Sequence, residues 1–471
     1  MSLRITTLCV LLACSCAATL PSDREAGYSA AVAASQAGDP ILAFRGAHQY
    51  LKGATPDDPR YDRALRLMAR SAEDLGLTYA ASLWYLEIAQ ARREVTLLPE
   101  AIRGLERIVF GGPHDEETLV RGFLATADIS ELPADAQAFV DYLQGLNSAR
   151  VGLDEWAEAR FDRIPASSPY RARADYVKAV RKVARGDLEG AEADFEALLE
   201  RKNLPQDLAI DVRRSLARIE FERKDWDKAL EHYEAIRAIA PDDPELLLEM
   251  AWTAYYSGDS RRALGLLLAL DAPVYADLIA PERFLLEALC LRRLCQFGAA
   301  RQAAVRLRQR HGAAIDAIYS GIPLQQSPEL RAAAGLRGAT RPLTRFRLKL
   351  EDERARVEAL AGELGTPLAT DLLDLYDRGL AEARRREDRQ IAEEVDALAN
   401  DLLYAEEGVR LILHELGVAL LRGRRRPAGV EEAPPPEIPL TGERAFFRFE
   451  GEFWTDELDD FVVFAEDRCI D

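Results

Sequence analysis

The sequence predicts an all-α fold, in which a superhelix of helical hairpins is followed by a long helical hairpin and a small C-terminal β-hairpin. Three observations lead to this prediction: a motif that recurs through the first two thirds of the chain, a later stretch with helical spacing of apolar residues, and an aromatic tail. The composition agrees with it, because the 471 residues are rich in good helix formers and are 48% hydrophobic and 30% charged.

The recurring motif combines a turn, a small residue and large apolar residues. The small residue is an alanine at intervals of 34 to 38 positions: Ala157, Ala191, Ala229, Ala263 and Ala300. In the first four copies, large apolar residues follow four and seven positions later: Phe161 and Ile164, Phe195 and Leu198, Tyr233 and Ile236, Leu267 and Leu270. These spacings place the side chains on one helix face. The pattern therefore predicts helical hairpins that stack and share one continuous core.

The same turn is recognisable further upstream. Gly38-Asp39 and Leu75-Gly76 precede Ala43 and Ala80, which are 37 residues apart. Between residues 90 and 145 the motif degenerates, and we expect irregular helix pairs there. The repeat region is predicted to span residues 24–312.

The motif resembles the tetratricopeptide repeat, most strongly over residues 210–277, where Pro241 and Pro244 separate two copies. The resemblance implies antiparallel helix pairs and a concave face that binds protein segments. Carried onto this chain, the groove-facing positions of the repeat are Arg173, Tyr176, Arg214, Arg218, Phe221, Trp252, Tyr255, Tyr256, Arg292 and Arg293. Arginine and aromatic residues suit a peptide with acidic groups. The alternatives are that the rings fill contacts between adjacent helices and that the arginines are merely solvated.

After the repeats, residues 313–342 carry many Gly and Pro residues and are predicted to form a linker. Residues 343–426 are predicted to form a long, coiled-coil-like helical hairpin, broken at Gly365-Thr366-Pro367, because apolar residues recur at steps of three and four. The basic cluster at residues 384–386 could be a binding patch, but acidic residues follow it and favour a solvated helix face.

The C-terminal region has a different character. Residues 427–442 are rich in proline and are predicted to form an extended linker. Residues 443–471 are aromatic and alternating, which predicts a β tail. Its aromatic side could be docked on the helical body, or an exposed edge could add a strand to the sheet of a partner.

The N-terminus predicts export. A positive charge at Arg4 precedes a short apolar run, so residues 1–18 are interpreted as a signal peptide. The run ends in Val10-Leu11-Leu12-Ala13-Cys14, which resembles the lipobox of bacterial lipoproteins and implies lipidation of Cys14. Cys16 is a second, weaker site. The alternatives are cleavage near Ala17 or Ala18 by ordinary signal peptidase, and a buried N-terminal helix of a cytosolic protein.

Three cysteines lie in the body of the chain. Cys290 and Cys295 fall in one predicted helix, with backbones about 8 Å apart and thus too distant for a disulfide. Cys469 could pair with one of them, and Cys295–Cys469 is the possible disulfide. A buried free thiol is expected for at least one cysteine.

The charge and the motifs narrow the functional classes. A net charge of −19 disfavours nucleic acid and anionic lipid surfaces as partners. The five scattered histidines form no metal-ligand pair, and phosphate-binding and nucleophile motifs are absent from the sequence. We therefore predict no enzyme activity, no cofactor and no metal.

In overall layout the chain resembles tetratricopeptide-repeat envelope proteins associated with gliding motility in bacteria. The features that carry this resemblance are the exported N-terminus, the repeats, the cysteine at position 295, the long helices and the ending from Gly451 to Leu458 before Cys469. It implies a scaffold or adaptor in an envelope complex of the periplasm, held by lipid at the outer membrane, with motility or trans-envelope transport as its setting. The alternatives are a factor for outer-membrane protein assembly and a regulator of a cell-wall enzyme. The sequence leaves the oligomeric state open.

Overall fold

The computed structural model describes residues 23–127, 129, 132–241, 243–272, 275, 280–421 and 466–469. Within these residues the chain is all-α and contains no strand. It divides into two compact units: the first consists of residues 1–114 and 350–379, and the second of residues 115–349 and 380–471. The predicted signal peptide, the proline-rich linker and most of the predicted β tail lie outside the described residues.

The first unit begins with five helices in antiparallel succession: α1 (Asp23–Ala37), α2 (Pro40–Lys52), α3 (Tyr61–Asp74), α4 (Thr78–Ala91) and α5 (Leu98–Gly111). The turn before α2 explains why a Gly-Asp motif in the sequence predicts the start of a helix. Gly38 has a φ of 75°, which glycine adopts without steric cost, and the Asp39 side chain accepts a hydrogen bond from the backbone N–H of Leu42 at 3.0 Å.

The second unit continues the hairpins through ten helices: α6 (Ala134–Arg150), α7 (Asp154–Asp162), α8 (Tyr170–Ala184), α9 (Leu188–Leu199), α10 (Gln206–Glu222), α11 (Trp226–Arg237), α12 (Pro244–Ser257), α13 (Ser260–Ala269), α14 (Glu282–Arg293) and α15 (Phe297–Tyr319). Each turn inside a hairpin contains one residue of positive φ: Gly152, Gly186, Lys224, Gly258 and Cys295. The five motif alanines are all buried, as are the large apolar residues four and seven positions after the first four of them. The prediction of helical hairpins is confirmed. Their buried apolar residues form separate clusters, one over α8 to α10 and another from α10 onwards, rather than the one continuous core that was expected.

Residues between 90 and 145 are irregular, as expected. A 3-10 turn, Val95–Leu97, precedes α5, and a π-helical segment, Glu117–Leu124, precedes α6. The stretch 313–342, which we expected to form a linker, contains the end of α15, a 3-10 turn at Leu324–Gln326 and the short helix α16 (Pro328–Gly335).

Two long helices follow, α17 (Arg341–Leu364) and α18 (Thr366–Leu421), separated by Gly365 with a φ of 80°. They run antiparallel. In the first unit Arg354 pairs with Asp377 at 2.6 Å, and in the second Arg347 pairs with Glu387 at 2.6 Å. The two helices therefore form the hairpin that the apolar spacing predicts.

In the second unit, the apolar stripe of α18 packs against the repeats. Its buried side chains share one cluster with residues of α12 to α16: Val395, Leu398, Leu402, Ala405, Val409, Ile412 and Leu416. The approach is close at Gly408, where a Cβ atom would lie 2.8 Å from Leu285 Cδ1. The apolar residues of α18 therefore contact the repeats and do not serve only a coiled-coil seam with α17.

The basic cluster at residues 384–386 is divided between solvent and protein. Arg385 is exposed and pairs with Glu382 at 2.6 Å. The Arg386 side chain is half-buried and binds Asp115 and, at 3.2 Å, Glu117. At least one of the three arginines thus ties α18 to the start of the second unit rather than lying on a solvated face.

Candidate protein-binding surface

Three of the arginines predicted to line the groove bind acidic side chains further along the second unit. Arg173 pairs with Asp207 at 2.7 Å, Arg218 pairs with Glu249 at 2.6 Å, and Arg214 pairs with Asp243. The partners lie 29 to 34 positions further along, about one repeat away. These ion pairs connect one repeat to the next, so a partner carboxylate would have to displace an internal one.

Arg214 is the most constrained of the three. Its side chain is largely buried, and Asp243, which it binds, is the N-cap of α12 and accepts hydrogen bonds from the backbone of Glu245 and Leu246. The side chain of Arg218, by contrast, remains 61% exposed, although hydrogen bonding to Glu249 raises its pKa. Arg218 therefore stays accessible to a partner, whereas Arg214 supports a helix start.

The structure assembles four of the predicted aromatic positions. Phe221, Trp252, Tyr255 and Tyr256 lie in continuous ring contact, and we call them, together with Trp226, the aromatic cluster. Tyr256 is central to it: its ring stacks on Trp226 at 5.4 Å and on Trp252 at 5.8 Å, and it meets Phe221 edge-on at 5.6 Å. Edge-to-face and offset contacts at these distances are the favourable geometries of aromatic pairs.

Arg293 closes one side of the aromatic cluster. Its guanidinium carbon lies 3.8 Å from the centre of the Tyr255 ring, and its N–H donates to the backbone carbonyl of Tyr255. A guanidinium over an aromatic face is attracted by the ring quadrupole. Arg292 instead binds Glu415 of α18. The two adjacent arginines thus serve different contacts.

The aromatic cluster is only partly covered. Tyr256 is 49% exposed, whereas Tyr255 is buried at 8%. Phe221 and Trp252 pack at the border of the apolar core that α18 completes. The cluster therefore offers accessible ring surface beside buried core residues.

Trp226 is the member that the sequence reasoning missed. It opens α11, directly after the N-cap Asp225, whereas the groove positions were counted on the first helix of each hairpin. The corresponding positions of the two neighbouring hairpins, Leu188 and Ser260, are not aromatic, but Phe297 of a later hairpin is, so this position gave no distinct signal. Tyr176, conversely, does not join the cluster. Its ring contacts Phe195 at 5.7 Å, and its hydroxyl lies 3.4 Å from Ser215 Oγ.

One titratable group borders the aromatic cluster. Burial raises the pKa of Glu282, the first residue of α14, and the neighbouring indole of Trp252 opposes this shift.

Within the described part of the chain, no group of three or more His, Cys, Asp or Glu side chains is arranged to hold a metal ion. A search of the described helices for a segment long and apolar enough to cross a bilayer found none.

A disulfide lies beside Arg293. Cys295 and Cys469 are bonded, with Cα atoms 5.1 Å apart, and the backbone N–H of Arg468 donates to the Leu294 carbonyl at 3.0 Å. Gln296 donates to the Glu466 carbonyl at 2.6 Å. Residues 466–469 are thereby fixed to the turn between α14 and α15. Cys290 is a buried free thiol, and burial raises its pKa to about 12.

Comparison with known proteins finds a repeat family that matches part of this surface. Residues 210–253, which include most of α10, all of α11 and most of α12, match the family model described as tetratricopeptide repeat. This segment of the chain is therefore similar to a tetratricopeptide repeat.

One solved structure that matches is a tetratricopeptide repeat protein from Parabacteroides merdae, at 14% sequence identity and a TM-score of 0.26, covering 61% of this chain and 93% of that chain. A TM-score this low supports no statement about how the hairpins are arranged. No curated protein matches this chain.

Proposed function

We propose that this protein is an interaction scaffold that binds a segment of a partner protein on the aromatic cluster. The observation that carries the proposal is the ring contact of Tyr256 with Trp226, Trp252 and Phe221. The last three residues lie in the segment that matches the repeat family, and Tyr256 follows it by three positions. Aromatic rings add a large contact area at a small entropic cost, and Trp, Tyr and Arg dominate the binding energy of protein interfaces.

The surroundings favour a partner segment with both apolar and acidic side chains. The half-exposed rings supply the apolar contact, and Arg218 lies on α10 with most of its side chain accessible. A carboxylate of the partner could share Arg218 with Glu249. Arg214 and Arg292 are less exposed than Arg218 and also bind internal acids, so they are not assigned this role.

Crosslinking followed by mass spectrometry in the native host tests the proposal. We expect crosslinked partner peptides near α10 to α12, and we expect the double variant Trp226→Ala, Tyr256→Ala to weaken the affinity of the identified partner by roughly tenfold or more. The matched control is Tyr404→Ala, because Tyr404 is a tyrosine of α18 that is 69% exposed. Equal affinity of the double variant and the native protein would refute the role of the aromatic cluster.

We further propose that the scaffold works in the bacterial envelope, as an outer-membrane lipoprotein anchored through Cys14. The support is the lipobox-like sequence before Cys14 and the Cys295–Cys469 disulfide, a bond that persists in oxidising compartments such as the periplasm. A motility or trans-envelope transport complex is the proposed setting. Crosslinks to barrel-assembly proteins or to peptidoglycan synthases would point instead to an assembly factor or to a regulator of a cell-wall enzyme.

The anchor has its own test. The Cys14→Ala variant is expected to leave the membrane fraction, because one lipidated residue is the proposed tether. Cys16→Ala serves as the matched control and is expected to stay membrane-bound. Membrane association of the Cys14→Ala variant would exclude anchoring through that residue.

A further inference from the structure

Three apolar side chains are exposed together at the turn between α6 and α7. Val151 is 62% exposed, Leu153 is 52% exposed and Trp156 is 67% exposed. Single exposed apolar residues are common on protein surfaces, but a concentration within six positions marks an interaction site. Leu153 is the N-cap of α7 and Trp156 is its third residue, so both belong to the same helical turn.

The fold itself does not require apolar residues at these positions. The three following hairpins have the same turn, aligned by the residue of positive φ and by the buried motif alanine. Their equivalents of Val151, Leu153 and Trp156 are Arg185, Asp187 and Gly190, then Arg223, Asp225 and Lys228, then Ser257, Asp259 and Arg262. These three copies of the turn thus have no large apolar side chain at any of these positions. The fourth following copy, before α15, has Leu294 at the position of Val151, but that side chain is buried.

The apolar turn also forgoes a stabilising contact. Asp187, Asp225 and Asp259 each accept a hydrogen bond from the backbone of the third residue of the following helix, for example Asp259 from Arg262 at 2.9 Å. Leu153 makes no side-chain cap at the start of α7. Leu153 thus lacks the stabilising N-cap hydrogen bond and also exposes apolar surface to water. A contact with a partner, which the isolated chain does not make, would explain both features.

The charges around the turn define the kind of partner. Glu155 is exposed, and no basic group of the described residues pairs with it. Glu158 is exposed too and is 3.4 Å from Arg185, which also binds Asp154 at 2.8 Å. The other carboxylates at this turn are paired with arginines, so the unpaired Glu155 defines its charge. On a chain of net charge −19 it disfavours an anionic lipid surface and a second copy of the same turn. It also repels the C-terminal residues 443–465, which carry more acidic than basic groups.

We infer that the α6–α7 turn is a second docking surface, which binds a protein segment that presents an apolar side chain beside a lysine or arginine. The apolar side chain packs against Leu153 and Trp156, and the cation pairs with Glu155. This surface is separate in sequence from the aromatic cluster and does not depend on the role proposed for it.

The neighbouring turn supplies the variant for the test. Val151→Arg, Leu153→Asp and Trp156→Lys, combined, give the α6–α7 turn the residues of the α10–α11 turn. The probe is a displayed library of random peptides, selected on the full-length native protein and counter-selected on the triple variant. We expect enrichment of peptides with an apolar residue next to Lys or Arg, at least about tenfold weaker binding to the triple variant, and a Tm of that variant equal to or above the native one.

Two further variants separate the causes. Glu155→Lys is expected to weaken the selected peptides while preserving the Tm, because it reverses the charge and leaves the apolar residues in place. The double variant Trp226→Ala, Tyr256→Ala is expected to bind the selected peptides as well as the native protein does. The proposal for the aromatic cluster and the proposal for the α6–α7 turn can therefore fail independently of each other.

Several outcomes would overturn the inference. Peptides without basic residues, or equal binding by the triple variant, would remove the proposed specificity. Flotation with vesicles of phosphatidylcholine and phosphatidylglycerol that is lost in the triple variant would assign the turn to a membrane. Concentration-dependent self-association of the native protein alone, measured by sedimentation, would assign it to a second copy of the chain.

Discussion

The two units hold the long helices in different ways. In the first unit, beside buried apolar residues such as Val357 and Leu372, the contact includes a polar network: the buried carboxylate of Glu353 on α17 accepts hydrogen bonds from Thr78 Oγ1 at 2.8 Å, from the backbone N–H of Tyr79 at 3.0 Å and from the Tyr376 hydroxyl at 2.7 Å. In the second unit the contact is an apolar seam, in which α18 side chains share a core with the repeats.

The difference shows how one helix pair can be both positioned and stabilised. Hydrogen bonds to a buried carboxylate depend on direction and distance, so the Glu353 network fixes where α17 meets the start of α4. Burial of apolar area is non-directional and contributes most of the free energy of folding. We therefore expect the first contact to set the register and the second to supply stability.

The largest effect is expected from a cavity in the apolar seam. Leu402 on α18 is fully buried, so Leu402→Ala should lower the free energy of unfolding of the second unit by about 2–5 kcal/mol. Hydrogen exchange of the segment 380–421 measures it. The control is Leu411→Ala, because Leu411 is on the same helix and 59% exposed. A change of less than about 1 kcal/mol would mean that the seam is not a main source of stability.

Acid should weaken the second unit through a buried histidine. His311 on α15 lies against Phe284, with ring centres 5.7 Å apart, and burial lowers its pKa to about 4, with Arg310 and Arg283 adding to the shift. The unfolded chain binds a proton at this residue near about pH 6.5, and the folded chain only near about pH 4. The stabilisation is therefore complete above about pH 6.5, and about 3 kcal/mol is lost as the pH falls towards about pH 4.

Urea unfolding at a series of pH values measures this loss. His311→Phe should remove most of the pH dependence in that interval, whereas substitution of the exposed His414 by Gln should preserve it. An unchanged pH profile of the His311→Phe variant would show that the acid sensitivity has another source.

A smaller effect is expected at the polar contact. Glu353→Ala leaves the buried Tyr376 hydroxyl and the Thr78 hydroxyl without their acceptor, and should cost the first unit about 1–3 kcal/mol. Asp352→Ala is the control, since Asp352 is exposed and only pairs with Arg356 at 3.3 Å. If α4 and α17 keep native protection from hydrogen exchange in Glu353→Ala, the carboxylate does not set the register.

The repeat hairpins could be predicted because their signals are local. A residue of positive φ, a small residue for close helix approach and a large residue one turn later are determined within a dozen positions, and Gly186, Ala191 and Phe195 occupy these roles in the structure as predicted. The groove itself was less predictable. The acidic partner of Arg218 lies 31 positions away, and nothing in a single repeat indicates it.

The surface against which the apolar residues of α18 pack could likewise not be predicted from the sequence. Apolar residues spaced three and four apart, such as Val395, Leu398 and Leu402, fit a coiled-coil partner as well as a repeat surface. Trp226 was missed because the family register counts one helix of each hairpin, whereas ring contacts join side chains from both.

The Cys295–Cys469 bond spans 174 positions and encloses α15 to α18 together with the residues that follow them. A protease that nicks the chain anywhere inside that span would produce two pieces that travel as one molecule. The two fragments would stay covalently linked until a reductant cleaved the disulfide. The bond therefore retains the enclosed helices in the molecule after proteolysis.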